Sequence, residues 1–140
     1  MKQAGRVTEA IEQYEQALRI EPDFLEVHYS LALALDQVGK LEDAIGHYEQ
    51  ALRIKPDYAD ADNNLAIDLY QLGKVPEAIE HLQQALRFKP DSAEAHCNLA
   101  VVLERAGKVT EAIGHYEQAL RLKPDYAKAQ DGLTRLRAAQ

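Results

Sequence analysis

Apolar and polar positions along this chain recur at two spacings. Over short stretches the apolar residues return every three to four positions, which is the stripe of an amphipathic helix. Over the whole chain the stretches themselves return about every 34 residues, a period that signals a repeat architecture. Ala61, Leu65, Ala66, Ile67 and Leu69 mark one stripe, and Val75, Ala78, Ile79, Leu82, Ala85, Leu86 and Phe88 mark a second. Gly73 stands between them, where a helix end needs a left-handed residue. Pro76 falls in the first turn of the second stripe, where a missing N–H costs nothing, and Pro90 stops that helix. Each period therefore predicts a hairpin of two helices.

The punctuation repeats as faithfully as the stripes. Glycines fall at Gly5, Gly39, Gly73 and Gly107, and prolines at Pro22, Pro56, Pro90 and Pro124. Between them one phrase appears four times, from Glu9-Ala10-Ile11, Asp43-Ala44-Ile45, Glu77-Ala78-Ile79 or Glu111-Ala112-Ile113 to a closing Pro-Asp. The units are a leading half repeat at 1–24, complete repeats at 25–58, 59–92 and 93–126, and a C-terminal capping helix at 127–140, all in one domain. The leading half is expected to be a second helix over Thr8 to Ile20, with its own first helix cut down to Met1 to Ala4. Its apolar side, Val7, Ile11, Tyr14 and Leu18, then lacks a partner, which suggests either excision from a longer array or cover by another copy. The capping helix turns Leu133 and Leu136 inward. Capping boxes are expected at Asp23 with Glu26, Asp57 with Asp60 and Asp91 with Glu94, and a weaker start at Asp125 with Lys128. Ala32, Ala66 and Ala100 on first helices, with Ala44, Ala78, Ala112, Ala51, Ala85 and Ala119 on second helices, allow close approach. Leu31, Leu65, Leu99, Tyr48, Leu82 and Tyr116 are the large core residues.

Leucine-alanine on the first helix, glycine-lysine at the turn, Glu-Ala-Ile, Tyr-x-x-Ala-Leu and Pro-Asp together resemble the tetratricopeptide (TPR) repeat. The wording Asn98-Leu99-Ala100 and Glu111 to Leu120 is similar to repeats of bacterial TPR proteins and of the O-linked N-acetylglucosamine transferase. The resemblance implies an all-α fold, a right-handed α-solenoid of antiparallel helix pairs, with the first helices lining a concave groove. The groove positions are then Glu26, Tyr29, Leu33, Asp36 and Gln37; Asp60, Asn63, Asn64, Ile67, Tyr70 and Gln71; Glu94, Cys97, Asn98, Val101, Glu104 and Arg105; and Lys128, Asp131 and Arg135. Within the chain, second helices are near copies while first helices differ at these positions, as recognition surfaces do. Asn64 and Asn98 resemble two rungs of the transferase's asparagine ladder, although Ser30 and Gly132 stand at the flanking positions. Tyr29, Leu33 and Glu94 occupy positions where a carboxylate clamp for chaperone tails needs polar or basic groups, so that ligand class is not expected. Asp62 and Asp68 depart from the repeat pattern and suggest an acidic spot on the middle repeat.

Charge and chemistry narrow the function. A formal net charge of −7 lacks the basic footprint that nucleic acid requires. The groove acids Glu26, Asp36, Asp60, Asp68, Glu94 and Glu104 favour a basic or mixed peptide, with Arg105, Lys128 and Arg135 reversing the sign at the C-terminal end. The longest apolar run, Leu99 to Leu103, is far too short for a membrane span, and the N-terminus has no secretory pattern. Cys97 stands alone, which fits a reducing cytoplasm. His28 and His96 share one repeat position, and His47, His81 and His115 another, so duplication accounts for all five without metal-ligand spacing. No phosphate loop or nucleophile motif is present, and no cofactor, metal or catalytic residue is expected. The favoured function is a scaffold that binds a peptide or protein partner. Two alternatives remain open: self-assembly, as a homo-oligomer joined through Val7, Ile11, Tyr14 and Leu18, and a substrate-presenting segment of a larger enzyme such as a glycosyltransferase.

Overall fold

The computed structural model describes residues 2–140, with side chains from Gly5 onward. Among the described residues there are eight helices and no strand: α1 (Lys2–Ile20), α2 (Leu25–Gln37), α3 (Leu41–Ile54), α4 (Ala59–Gln71), α5 (Val75–Phe88), α6 (Ala93–Arg105), α7 (Val109–Leu122) and α8 (Ala127–Ala138). The pairs α2/α3, α4/α5 and α6/α7 pack most extensively, and each stacks on the next through α3/α4, α5/α6 and α7/α8, with α1 against α2. This is an α-solenoid of antiparallel helix pairs. First helices also meet one another, α4 touching α6 and α6 touching α8, whereas no comparable contact links α3, α5 and α7. The first helices are thus crowded on the inner wall and the second helices are spread on the outer one.

The turn chemistry follows the sequence. Gly39, Gly73 and Gly107 have φ of 80°, 81° and 80°, a region that costs an L side chain about 1 kcal/mol or more. The reversal lets the Lys74 N–H reach back to the Leu69 carbonyl at 2.8 Å, and Lys40 and Lys108 do the same to Leu35 and Leu103. The helix starts differ from the expected capping boxes. The N-cap residues are Phe24, Tyr58, Ser92 and Tyr126, one position beyond each aspartate, and only Ser92 accepts a backbone N–H with its side chain, from Ala95 at 3.1 Å. Asp23 is taken up instead by Arg53 at 2.5 Å. Tyr58 and Tyr126 at the N-cap pack against the core instead, which a pattern of acids cannot reveal.

The expected core is present. Leu31, Leu65, Leu99, Tyr48, Leu82, Tyr116 and the nine alanines of the helix contacts are all buried, as are Leu133 and Leu136 of α8. Phe88, placed on the apolar stripe of α5, is exposed. The N-terminal element also differs from expectation. Lys2 to Ala4 continue α1 as one helix through Gly5 rather than forming a separate remnant, because Gly5 has ordinary helical φ and so breaks nothing. Met1 lies outside the described residues. Among the described residues, no helix is long and apolar enough to cross a membrane.

Candidate functional site

The inner wall carries a half-open slot. Ile67, Tyr70 and Gln71 of α4, Asn98, Val101 and Val102 of α6 and Lys128 of α8 surround about 200 Å³, with Leu82 as its floor. Beside it, Tyr70, Val101, Glu104, Arg105, Tyr116 and Arg135 line a second depression of about 310 Å³. Tyr70 and Val101 belong to both, so the two form one strip across α4, α6 and α8. The slot exists because of Leu82. In the neighbouring repeats the equivalent residue is tyrosine, and its hydroxyl donates to an acid on the first helix, Tyr48 to Asp36 at 2.6 Å and Tyr116 to Glu104 at 2.5 Å. Leu82 has no hydroxyl, the acid position is Tyr70, and the ring of Tyr70 faces the groove with Arg105 5.7 Å from its centroid.

Of the groove residues expected from sequence, Ile67, Tyr70, Asn98, Val101, Glu104, Arg105, Lys128 and Arg135 are brought together along this strip. Glu104 is occupied by a two-pronged pair with Arg135 at 2.7 and 2.8 Å. That pair first, with the Tyr116 hydroxyl after it, holds Glu104 below the usual carboxylate range. Glu26, Asp60 and Glu94 are exposed at the starts of their helices, where Asp60 has Lys89 at 3.9 Å. Leu33 is exposed and lines a different crevice of about 390 Å³ with Arg6, Val7, Ala10 and Tyr14 of α1 and Ser30, Ala34 and Gln37 of α2. Ile11 and Leu18 of α1, like Tyr14, are half-buried against the core rather than bare.

Four expectations need correction. Cys97 is not a groove residue: it is fully buried in the core and burial pushes its thiol upward. Asn98 donates to Asn63 at 2.9 Å, and Asn64 donates to the Tyr29 hydroxyl at 2.9 Å. The asparagines therefore bond diagonally between repeats, and an Asn64–Asn98 ladder facing a ligand is not what their amide donors serve. Burial, with Tyr58 and Asp60 nearby, pushes the Tyr29 phenol up to about 12. Asp68 is not an exposed groove acid. It is buried against Asp36, and burial first, then the bond and charge of Asp36, push its carboxyl up to about 8. Asp62, read as part of the same acidic spot, is also buried, at 1 % exposure, and its Oδ1 receives His81 Nδ1 at 2.8 Å.

The histidines, explained by duplication alone in the sequence, meet in pairs. His28 and His47 approach Nδ1 to Nδ1 at 3.0 Å, as do His96 and His115. The other nitrogen of His28 lies 2.7 Å from the Pro22 carbonyl, and that of His96 lies 3.0 Å from the Pro90 carbonyl. A carbonyl only accepts, so Nε2 carries the proton, Nδ1 is an acceptor, and His47 and His115 donate through Nδ1. Desolvation and the facing imidazole keep His47 and His115 below the usual histidine value. The detectable signal was that both repeat positions are histidine in the first and third complete repeats, while the middle one pairs Asp62 with His81.

Known proteins place this architecture. A family model described as tetratricopeptide repeat matches residues 63–127, a second of the same description matches residues 25–58, and one described as TPR repeat matches residues 2–39. No curated protein matches the sequence. Among solved structures, a crystal structure of MamA superposes with a TM-score of 0.93 at 23 % identity, over 99 % of this chain and 81 % of that one. MamA from residue 41 to its end, from Desulfovibrio magneticus RS-1, gives 0.90 at 20 % identity, over 96 % and 76 %. The first TPR of Spaghetti (RPAP3), bound to the HSP90 peptide SRMEEVD, gives 0.80 at 22 % identity, over 82 % and 91 %. These identities establish a shared fold alone. With repeat-family matches along most of its length and the same solenoid geometry, the chain belongs to the tetratricopeptide repeat family.

Proposed function

We propose that this protein is a non-catalytic scaffold that holds an extended peptide of a partner protein across the inner faces of α4, α6 and α8. The observation that carries the reading is the slot at Ile67, Tyr70 and Val101 over Leu82, a small apolar recess rimmed by Asn98, Gln71 and Lys128. Such a recess takes one apolar or aromatic side chain, and the polar rim fixes the backbone beside it. The RPAP3 domain of similar fold is bound to a peptide with three acidic residues. Here Glu26, Asp60 and Glu94 are exposed at the starts of α2, α4 and α6, Lys128 takes the same place on α8, and Arg105 is exposed at the end of α6. The proposed peptide is therefore of mixed charge, with its basic part against Asp60 and Glu94 and its acidic part toward Lys128 on α8. A cytoplasmic location suits the free, buried Cys97 thiol.

The test is selection from a displayed random-peptide library, followed by calorimetry on the wild type and Leu82→Tyr. The substitution installs the residue that two repeats already carry, so the fold should persist while the ring fills the slot. Binding should weaken about tenfold or more, the loss of one well-buried anchor. Equal affinity in both proteins would reject the slot as the anchor site.

A second reading, self-association through α1, rests on the crevice of about 390 Å³ that Val7, Ala10 and Tyr14 form with α2. Light scattering over a dilution series, repeated with Val7→Glu/Tyr14→Glu, distinguishes it. A monomer at the highest concentration excludes that reading without touching the first.

A further inference from the structure

The outer side of the middle repeat carries a site that its neighbours have closed. In the first and third complete repeats an imidazole fills the corner between the helix pair and the loop before it. His28 reaches His47 with one nitrogen and the Pro22 carbonyl with the other, at 3.0 and 2.7 Å. His96 does the same with His115 and Pro90, at 3.0 and 3.0 Å. The middle repeat has Asp62 at that position. Its Oδ1 is held by His81 at 2.8 Å, while its Oδ2 is buried with no partner among the described residues. The shorter side chain brings no donor to the Pro56 carbonyl, and a crevice of about 290 Å³ remains, lined by Leu52, Pro56, Asp62, Glu80, His81 and Gln84.

The chemistry of that crevice selects its occupant. An unpaired acceptor on a nearly inaccessible carboxylate is costly unless a donor, preferably a charged one, meets it. Asp62, Glu80 and the Pro56 carbonyl all accept, and no Lys or Arg lines the crevice. Leu52 and Pro56 give apolar walls for a short aliphatic stem. A guanidinium meets acceptors at several angles with a rigid planar fork, and it is more weakly hydrated than an ammonium, so it enters a half-dry crevice at lower cost. Metal coordination is a poorer match, since no group of three His, Cys, Asp or Glu side chains converges among the described residues.

From this geometry we infer that the Asp62 crevice is a guanidinium-binding site on the outer face, separate from the peptide groove, with the Asp62 carboxylate as its principal acceptor. The guanidinium arrives either on an arginine of a partner protein or as a free small molecule. NMR of the His81 ring, titrated with N-propylguanidinium and separately with an acetylated, amidated Ala-Arg-Ala peptide, tests both sources. Saturable shifts at His81 and Glu80 are expected, and the tighter of the two probes identifies the source. Asp62→Asn should weaken binding about tenfold or more by removing the charge. Asp62→His should abolish it by refilling the corner as in the adjacent repeats, with the fold kept, as circular dichroism would verify. The inference is overturned if neither probe shifts His81, if N-propylammonium binds as well as the guanidinium, if zinc alone produces the same saturable shifts, or if the histidine variant binds like wild type. Because the groove residues play no part, these outcomes are independent of the groove reading.

Discussion

Asp36 and Asp68 form a buried acid pair whose stability contribution should run opposite to the usual carboxylate trend. Asp36 Oδ2 accepts from Tyr48 at 2.6 Å, while Asp36 Oδ1 and Asp68 Oδ2 are buried acceptors without a donor. One proton on Asp68, donated to Asp36, satisfies both oxygens. Burial and the neighbouring carboxylate hold that proton until about pH 8, against an ordinary value of 3.8. Between those values the folded chain binds more protons than the unfolded one, so stability is greatest below pH 4, falls as pH rises and levels off above pH 8. The slope is about 1.4 kcal/mol per pH unit, which amounts to roughly 3 kcal/mol between pH 5 and pH 7. Asp68→Asn is the decisive variant, because an amide reproduces the donor of the protonated acid and does not titrate. Urea unfolding of both proteins at half-unit steps from pH 5 to pH 8 should show the variant gaining on wild type along that slope, from a difference already open at pH 5. Taking the difference between the two proteins cancels the other titrating groups, including His47 and His115. Parallel pH profiles would refute the shared proton.

Three further outcomes follow from the packing. Gly132 is helical, so alanine there should gain about 1 kcal/mol of propensity. Its Cβ would nevertheless fall 2.7 Å from Cε1 and the hydroxyl of the buried Tyr116 ring, and thermal unfolding of Gly132→Ala should show a net loss of about 1–3 kcal/mol; a net gain would mean the ring moves freely. Ala78 is fully buried in the core cluster, so Ala78→Leu should lower stability by about 1–3 kcal/mol through overpacking in denaturant titration. The imidazoles of His47 and His115 are shifted down by desolvation and their facing partners, so ring-nitrogen NMR should find both neutral when pH first drops below 6.5. Their contribution to stability is complete above the unfolded histidine value and declines as pH falls beneath it.

The frame was legible because it is local and repeated. Gly73 at positive φ, Pro76 in a first turn, and the alanines at helix crossings each follow from spacing within one hairpin. Burial of the acids was not legible for the opposite reason. Asp68 meets Asp36, and Asp62 meets His81, across 32 and 19 positions of chain, and a helical stripe says which side a residue faces but not what stands opposite. An aspartate on a first helix therefore read as a surface acid. The same gap misplaced Cys97 and turned Asn64 toward a ligand instead of toward Tyr29. The inner-wall strip at Ile67, Tyr70 and Val101 was anticipated only through likeness to a repeat family. The helix starts failed on a finer scale, one residue of offset being enough to replace the expected aspartate caps by Phe24, Tyr58 and Tyr126.

What makes the middle repeat different is a pair of coordinated exchanges rather than scattered drift. The outer repeats couple Tyr48 to Asp36 and Tyr116 to Glu104, and they couple His28 to His47 and His96 to His115. In each pair the two side chains are joined directly by a hydrogen bond. The middle repeat replaces both members on the inner side, Leu82 for the tyrosine and Tyr70 for the acid, and one on the outer side, Asp62 for the histidine. Leu82 can satisfy no acid, and an acid opposite it would be left with one fewer donor, so Tyr70 at that place is consistent with the exchange and leaves an apolar slot on the inner wall. Asp62 satisfies His81 but leaves one oxygen over, and opens a polar crevice on the outer wall. A stack in which every repeat satisfied itself would be stable and featureless. Here the central repeat has two incompletely filled faces between paired neighbours, and the two proposed recognition sites fall where the internal pairing is relaxed.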